Sequence, residues 1–380
     1  MTPPDATKRP IDSYKCPECP KRIGVLTGGG DCPGLNAVIR AVVKDALFYD
    51  IEVMGIQDGF LGLIEDRINP IYQSDVSNIL TQGGTILGSS NKADPSRFAV
   101  GKNDDGTPIF KDLNDVCLTH IRSHGLEALV VIGGDGTMSG AKPFADQGIN
   151  CIGVPKTIDN DLFGTDITFG FQTAVAVATE ALDRVHTTAA SHHRVMVVEV
   201  MGRNAGWIAL HSGVASGSDV VLIPEIEFDL EKVCEVCERR SQRGKRFTII
   251  CCSEGAKPLG GEQIVDKVDP TSPDPIRLGG VAKWLAAEVE KRTEIESRYV
   301  VLGHVQRGGT PVAGDRVLAT QFGHHAMKLL REGARNRLVV MQGGRLADIE
   351  ITAAANKQRT VPIEHELLQA ARAVYTSFGD

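Results

Sequence analysis

The sequence predicts an α/β protein, built as two doubly wound, three-layer α/β domains with mainly parallel sheets. Three observations carry this. Short apolar runs of strand length alternate with stretches of helical periodicity. Gly-rich turns close several of those runs. The chain has 380 residues, 42% of them apolar, which is enough for more than one core. Forty-one glycines against 5% aromatics fit many tight strand-to-helix turns.

In chain order, residues 1–20 are polar and Pro-rich. They are expected to form a disordered N-terminal extension, with neither the apolar core of a secretory signal nor an anchor. Residues 22–27 are a buried strand by length, closed by Gly28, Gly29, Gly30 and Asp31. Pro33 stands near a helix start, where its missing N–H costs little. Leu35, Val38, Ile39, Val42, Ala46 and Leu47 then recur at helical spacing. A second unit starts at residues 128–132 and turns at Gly133, Gly134, Asp135, Gly136 and Thr137. A third runs over residues 151–154 into Pro-Lys-Thr-Ile-Asp-Asn-Asp. Residues 194–200, 247–252 and 299–302 are further strands, and residues 230–239 read as helix. Residues 89–115 and 257–277 read as loops. Strands alternating with helices imply a parallel sheet covered on both faces, with ligands beyond the carboxyl ends of the strands.

A net charge of −7 gives no sign of a nucleic-acid binder, which would usually show a basic face. No apolar run approaches the roughly 20 residues that span a membrane, so the cytoplasm is the default. Nine cysteines include two C-x-x-C pairs, Cys16/Cys19 and Cys234/Cys237. Free thiols of a reducing compartment account for them better than zinc, which would need both pairs to meet.

The turns hold the chemistry. Glycine lets backbone N–H groups approach a phosphate, and the following helix points its positive end there. Asp135 among such glycines is either an N-cap for the next helix or a ligand of Mg²⁺ bridging phosphate oxygens. Asp159 and Asp161 would share one side of an extended segment, so one is expected to be protonated or cation-bound. Alternatively they are ordinary turn acids. Arg194, Arg203, Arg298 and Arg307 fall at strand ends, with His304 near the last, as phosphate grips or as surface charges.

These residues carry a resemblance. The stretches IGVLTGGGDCPGLNAVIR, GGTILGS, VVIGGDGT, PKTIDND, VMGR, VLGHVQRGG and GDR resemble the 6-phosphofructokinases in order and spacing, over about residues 21–348. The resemblance implies glycolytic, Mg²⁺-dependent phosphorylation of fructose 6-phosphate to fructose 1,6-bisphosphate, in a cleft between the two domains. It implies that Gly29, Gly134, Gly136 and Thr137 hold the phosphoryl donor and that Asp135 binds Mg²⁺. Asp159 would be the general base, beside Thr157, and Arg203 would stabilise the moving phosphoryl group. Thr157, Ile158, Met201, Gly202, Glu254, His304, Val305, Gln306 and Arg307 would bind the sugar phosphate. Arg194 and Arg298 would reach the neighbouring subunit's site, which requires a homodimer or homotetramer. Domain boundaries follow: 21–169 plus 306–342 for the donor domain, and 170–305 plus 343–380 for the sugar-phosphate domain, with a C-terminal helix near residues 364–376.

Two positions bear on the donor. Gly136 leaves room for ATP where pyrophosphate-using relatives carry Asp. Lys156 is shared with those relatives, although one ATP-using branch also pairs Gly with Lys. ATP is therefore the expected donor and pyrophosphate the alternative. Asn91 stands where well-known bacterial members have an Arg, with Lys92 next as a possible point-charge substitute. Arg40 is kept in the allosteric pocket, but His186 and Asp219 replace Arg and Glu. A non-catalytic sugar-phosphate-binding subunit is the rival of another class, and it should have lost Asp135 or Asp159. GGDGT also occurs in NAD and lipid kinases, but these do not explain TIDND with GHVQRGG. A dinucleotide-binding G-x-G-x-x-G fails at Pro33.

Overall fold

In the computed structural model, residues 19–268, 276–355 and 357–380 are described. The extension expected over residues 1–20 therefore lies almost wholly outside them, Cys16 included. Five strands form the parallel heart of the larger sheet. Arg22–Thr27 pairs in parallel with Glu52–Ile56 on one side and Ala128–Gly133 on the other. Asn150–Pro155 follows, then Arg337–Gln342, both parallel. Antiparallel strands Ile68–Pro70 and Arg345–Glu350 close the two edges of this seven-stranded sheet. The strand Arg345–Glu350 belongs here by its hydrogen bonds, so the return to the second domain falls later than the boundary expected after residue 342.

The second sheet is fully parallel, in the order Ser297–Val301, Val195–Val200, Thr248–Ser253, Val220–Leu222. Side chains alternate along each central strand, as period two requires. Val130 and Ile132 join a cluster with helices Leu35–Phe48 and Ala313–Arg331. Leu129 and Val131 join another with helices Asn114–Ser123 and Asp135–Asp146. Both faces are thus covered, which explains why the strands read as unbroken apolar runs. The first cluster also takes in Met196, Val198 and Val200 of the second sheet, so one core spans both sheets.

Two segments read as loops contain strands. Residues 89–115 hold the hairpin Phe98–Lys102/Pro108–Lys111, whose alternation is broken by a bulge between Ala99 and Gly101. The stretch 257–277 holds Val265–Val268 and Ile276–Leu278, while residues 269–275 fall outside the described ones. The helix read over residues 230–239 spans Leu230–Gln242, and the C-terminal helix is Glu366–Ala373. Pro33 lies just before Gly34, which caps the first helix with φ 109°, so Pro33 is outside the helix rather than in its first turn. Seven buried cysteines, Cys234 and Cys237 among them, are free. Cys19 is disulfide-bonded, contrary to the expectation of free thiols. Among the described residues no helix is long and apolar enough to cross a membrane.

Candidate active site

Parallel strands deliver their carboxyl ends to one edge of a sheet, and the motif turns collect there. The Gly28 amide donates to Ile132 O at 2.9 Å, and the Lys156 amide donates to Gly133 O at 2.9 Å. These bonds bind the three turns into one wall of a cavity of about 570 Å³. Gly29, Asn91, Gly134, Asp135, Gly136, Thr137, Lys156, Thr157 and Arg307 line it, all singled out from the sequence. Phe60, Ser90, Ala93, Asp94, Ser96, Ser139 and Gly140 line it too and were not. They carry no charge pattern or motif, except that Ser139 and Gly140 sit one helical turn beyond Asp135. Lys92 is exposed and does not line the cavity.

Asp135 is the first residue of its helix. Gly134 is the N-cap, and no side chain caps the helix. The N-cap reading of Asp135 is thereby corrected, and its carboxylate is left facing the cavity. The turn after Lys156 is not extended as expected: Asn160 takes φ 53°, in the left-handed region. Asn tolerates this conformation because its short amide bonds locally. Its Oδ1 accepts the Thr168 amide at 2.9 Å. The turn still sets the two acids close enough to repel.

Burial raises the Asp159 carboxyl to about 6, countered by Arg307 and Lys156 and reinforced by Glu254. Burial, then Asp159 and further on Asp135, raise Asp161 to about 7. Burial also lifts Glu254 to about 6, with Arg307 and Arg203 opposing. Asp135, Asp159, Asp161, Glu254, Lys156, Arg203 and Arg307 therefore form one electrostatic group. Asp159 Oδ1 is shut from solvent with no hydrogen-bond partner. Lys156 is 4% exposed, and burial lowers its ammonium below the ordinary lysine range. Its Nζ donates to Gly30 O.

On the second-sheet side, Gly202 has φ 134°. A Cβ there would lie 2.5 Å from Ser253 Oγ, so only glycine fits. Gln306 is fully buried and acts as a brace: its Oε1 accepts the Met201 amide at 3.3 Å and its Nε2 donates to Gly303 O at 3.0 Å. His304 and Val305 are exposed, whereas Ile158 has its side chain in the core. Arg203 Nη1 donates to Ile276 O at 3.1 Å. Arg194 and Arg298 do not line the cavity. They share Glu296, at 2.8 and 2.6 Å.

Three acids near a glycine-lined wall, Asp135, Asp159 and Asp161, suit a hard divalent cation such as Mg²⁺, and the orphaned Asp159 oxygen fits the same need. Among the described residues no three His, Cys, Asp or Glu side chains converge enough to hold a metal by themselves. That fits Mg²⁺, which keeps waters and phosphate oxygens in its shell.

Glycine turns, clustered acids and basic groups at the carboxyl edges of parallel sheets make a phosphotransferase cleft. The phosphofructokinase family profile matches residues 22–330. The chain is 49% identical over 364 residues to the ATP-dependent 6-phosphofructokinase 2 of Clostridium perfringens, covering 95% of this chain and 99% of that one. It is also 49% identical over 342 residues to the pyrophosphate–fructose 6-phosphate 1-phosphotransferase of Streptomyces coelicolor, covering 90% and 96%. The phosphofructokinase structure from Saccharomyces cerevisiae matches with a TM-score of 0.74 and 30% identity, over 88% of this chain and 45% of that one. The chain belongs to the phosphofructokinase family.

Proposed function

We propose that the chain is an ATP-dependent 6-phosphofructokinase. Identity does not separate the donors, since relatives of both kinds reach 49%. The observation that carries ATP is the space at Gly136. A Cβ there would meet nothing within 4 Å, inside a cavity large enough for a nucleotide. An Asp side chain would fill that space and add charge beside Asp135.

In this reading the sugar's 1-hydroxyl attacks the γ-phosphorus of ATP. The new O–P bond forms as the bond to the ADP oxygen breaks, and the hydroxyl proton passes to Asp159. A carboxyl lifted by burial toward neutrality is a better proton acceptor than a solvated one. Thr157 steadies the turn that carries it, Arg203 meets charge on the moving group, and Lys156 and the glycine amides hold the donor. Met201, Gly202, Glu254, His304, Val305, Gln306 and Arg307 form the sugar-phosphate side. Asp135 would hold Mg²⁺, which supplies charge neutralisation on the donor phosphates. Arg194 and Arg298, tied to Glu296 away from the cavity, are assigned to a neighbouring subunit's site, so the working unit is a homodimer or homotetramer in the cytoplasm.

Lys156 supports a second reading, with pyrophosphate as donor, because a buried cation suits a small, highly charged ligand. The test is fructose 1,6-bisphosphate formation with ATP, ADP or pyrophosphate, with Asp159→Asn as control. ATP alone supports the space argument, and pyrophosphate alone overturns it. No activity with any donor, and no difference between Asp159→Asn and its parent, would sink the catalytic assignment.

A further inference from the structure

Behind the Asp159 turn runs a segment from outside the matched family region, which ends at residue 330. Gln358 bridges Leu162 in antiparallel fashion. The Arg359 amide donates to Asp161 O at 2.7 Å. The Arg359 guanidinium donates from Nη1 to Asn160 O at 3.1 Å. The carbonyl of the left-handed Asn160 and that of the next residue, Asp161, are thus held by one residue. The other side of the segment is fastened to the second-sheet domain. The Trp207 indole donates to Arg359 O at 2.9 Å, and its ring lies 4.1 Å beneath the guanidinium carbon. Two residues on, the Val361 amide donates to Glu225 Oε1 at 2.7 Å, and Glu225 also accepts the Gly206 amide.

We infer that Arg359 is a positioning residue for phosphoryl transfer: stacked on Trp207, it holds the Asn160 turn so that Asp159 faces the acceptor hydroxyl. The inference rests on the reading of Asp159 as general base. Three features favour positioning over mere packing. The guanidinium bonds a main-chain carbonyl in the turn itself. Asn160 is 4% exposed and sits in a conformation that costs free energy unless its surroundings hold it. A planar cation between an indole face and that carbonyl has little freedom to let the turn relax. The contact reaches Asn160 and Asp161 and no part of the cavity wall, so it should act on the chemical step rather than on binding.

The test uses full-length enzyme with three changes made separately. Arg359→Met keeps a long apolar stem over Trp207 and loses the donor to Asn160. Arg359→Lys keeps a donor. Asp159→Asn reports independently on the general base. With Arg359→Met, kcat is expected to fall about 10- to 100-fold, the range that a small misplacement of a reacting group costs. KM for fructose 6-phosphate and for the donor should stay within about twofold by the same argument, with the thermal midpoint near that of the parent. Arg359→Lys should recover most of the loss. Parental kcat in Arg359→Met overturns the inference. So does a fall accompanied by a matching rise in KM and a lowered thermal midpoint, which is the mark of a strap that only holds the domains. An Asp159→Asn enzyme with parental kcat overturns the general-base reading instead, whatever Arg359→Met does.

Discussion

Thr157 and Asp161 face each other across a single turn: the threonine hydroxyl donates to Asp161 Oδ1 at 3.0 Å and accepts the Asp159 amide at 3.1 Å. One hydroxyl thereby ties the Asp161 carboxylate to the Asp159 main chain. Burial above all keeps protons on the two acids toward neutral pH, with Glu254 adding repulsion on Asp159 and Asp159 adding it on Asp161. Glu254→Gln removes the repulsion that Glu254 exerts on Asp159, so Asp159 ionises at lower pH. The acid limb of kcat/KM, expected near pH 6 to 7 in the parent, should move to lower pH in this variant. A limb that stays put refutes that repulsion.

Asp159→Asn should lower kcat by about 10² to 10⁴. KM for fructose 6-phosphate should change little, since the amide keeps the shape of the carboxylate. Steady-state kinetics with saturating donor check this.

How far the site was legible varies with the kind of signal. Gly134, Asp135 and Asp159 stand in short turns straight after strands, so local sequence placed them together. Phe60 and Ser96 reach the same cavity without a distinctive neighbour, and only the folded chain brings them there. The hairpin within residues 98–111 hid behind polar residues and a bulge that breaks period two. Gln306, read from the sequence as part of the sugar-phosphate side, also braces the chain there through its buried amide, a role that depends on which way the amide turns. Arg359 lies 199 residues from the carbonyl it holds, beyond any local pattern. The parallel strands were the easy part, because burial on both faces makes them plainly apolar.

Gly136→Asp should leave the fold intact, because a Cβ there meets nothing within 4 Å. It should cut kcat/KM for ATP by at least about 100-fold, as expected when a like charge is set beside the donor phosphates. Donor titrations measure it, and unchanged ATP kinetics would remove the space argument.

Asp315 is fully buried, and its Oδ2 accepts the Thr173 amide at 2.7 Å and the Thr173 hydroxyl at 2.6 Å. It caps the helix Phe171–His192 from a distant part of the chain. Asp315→Ala should cost about 2–3 kcal/mol, as expected when a buried charged acceptor is lost. Urea unfolding gives the value.

Asp159, Asp161 and Glu254 all hold protons more tightly in the folded state than their ordinary values of 3.8 and 4.5. The folded state therefore binds more protons between those values and about pH 7. Their contribution to stability is full below the unfolded values and is lost as pH rises through about 6 to 7. Ligand-free protein should gain stability from these groups on going from pH 8 to pH 5. Replacing all three by their amides should flatten that slope in denaturant titrations.

The segment that carries Arg359 also sets an order of events during synthesis. A ribosome makes the Asn160 turn long before it makes the residue that clamps it, and the strand Arg337–Gln342 that flanks Asn150–Pro155 is late as well. The nascent chain can therefore bury most of its glycine-lined wall while its proton-accepting turn remains loose. The proton-accepting turn is drawn tight only once Arg359 has been made, so a chain that stops before it would hold phosphates and transfer them more slowly.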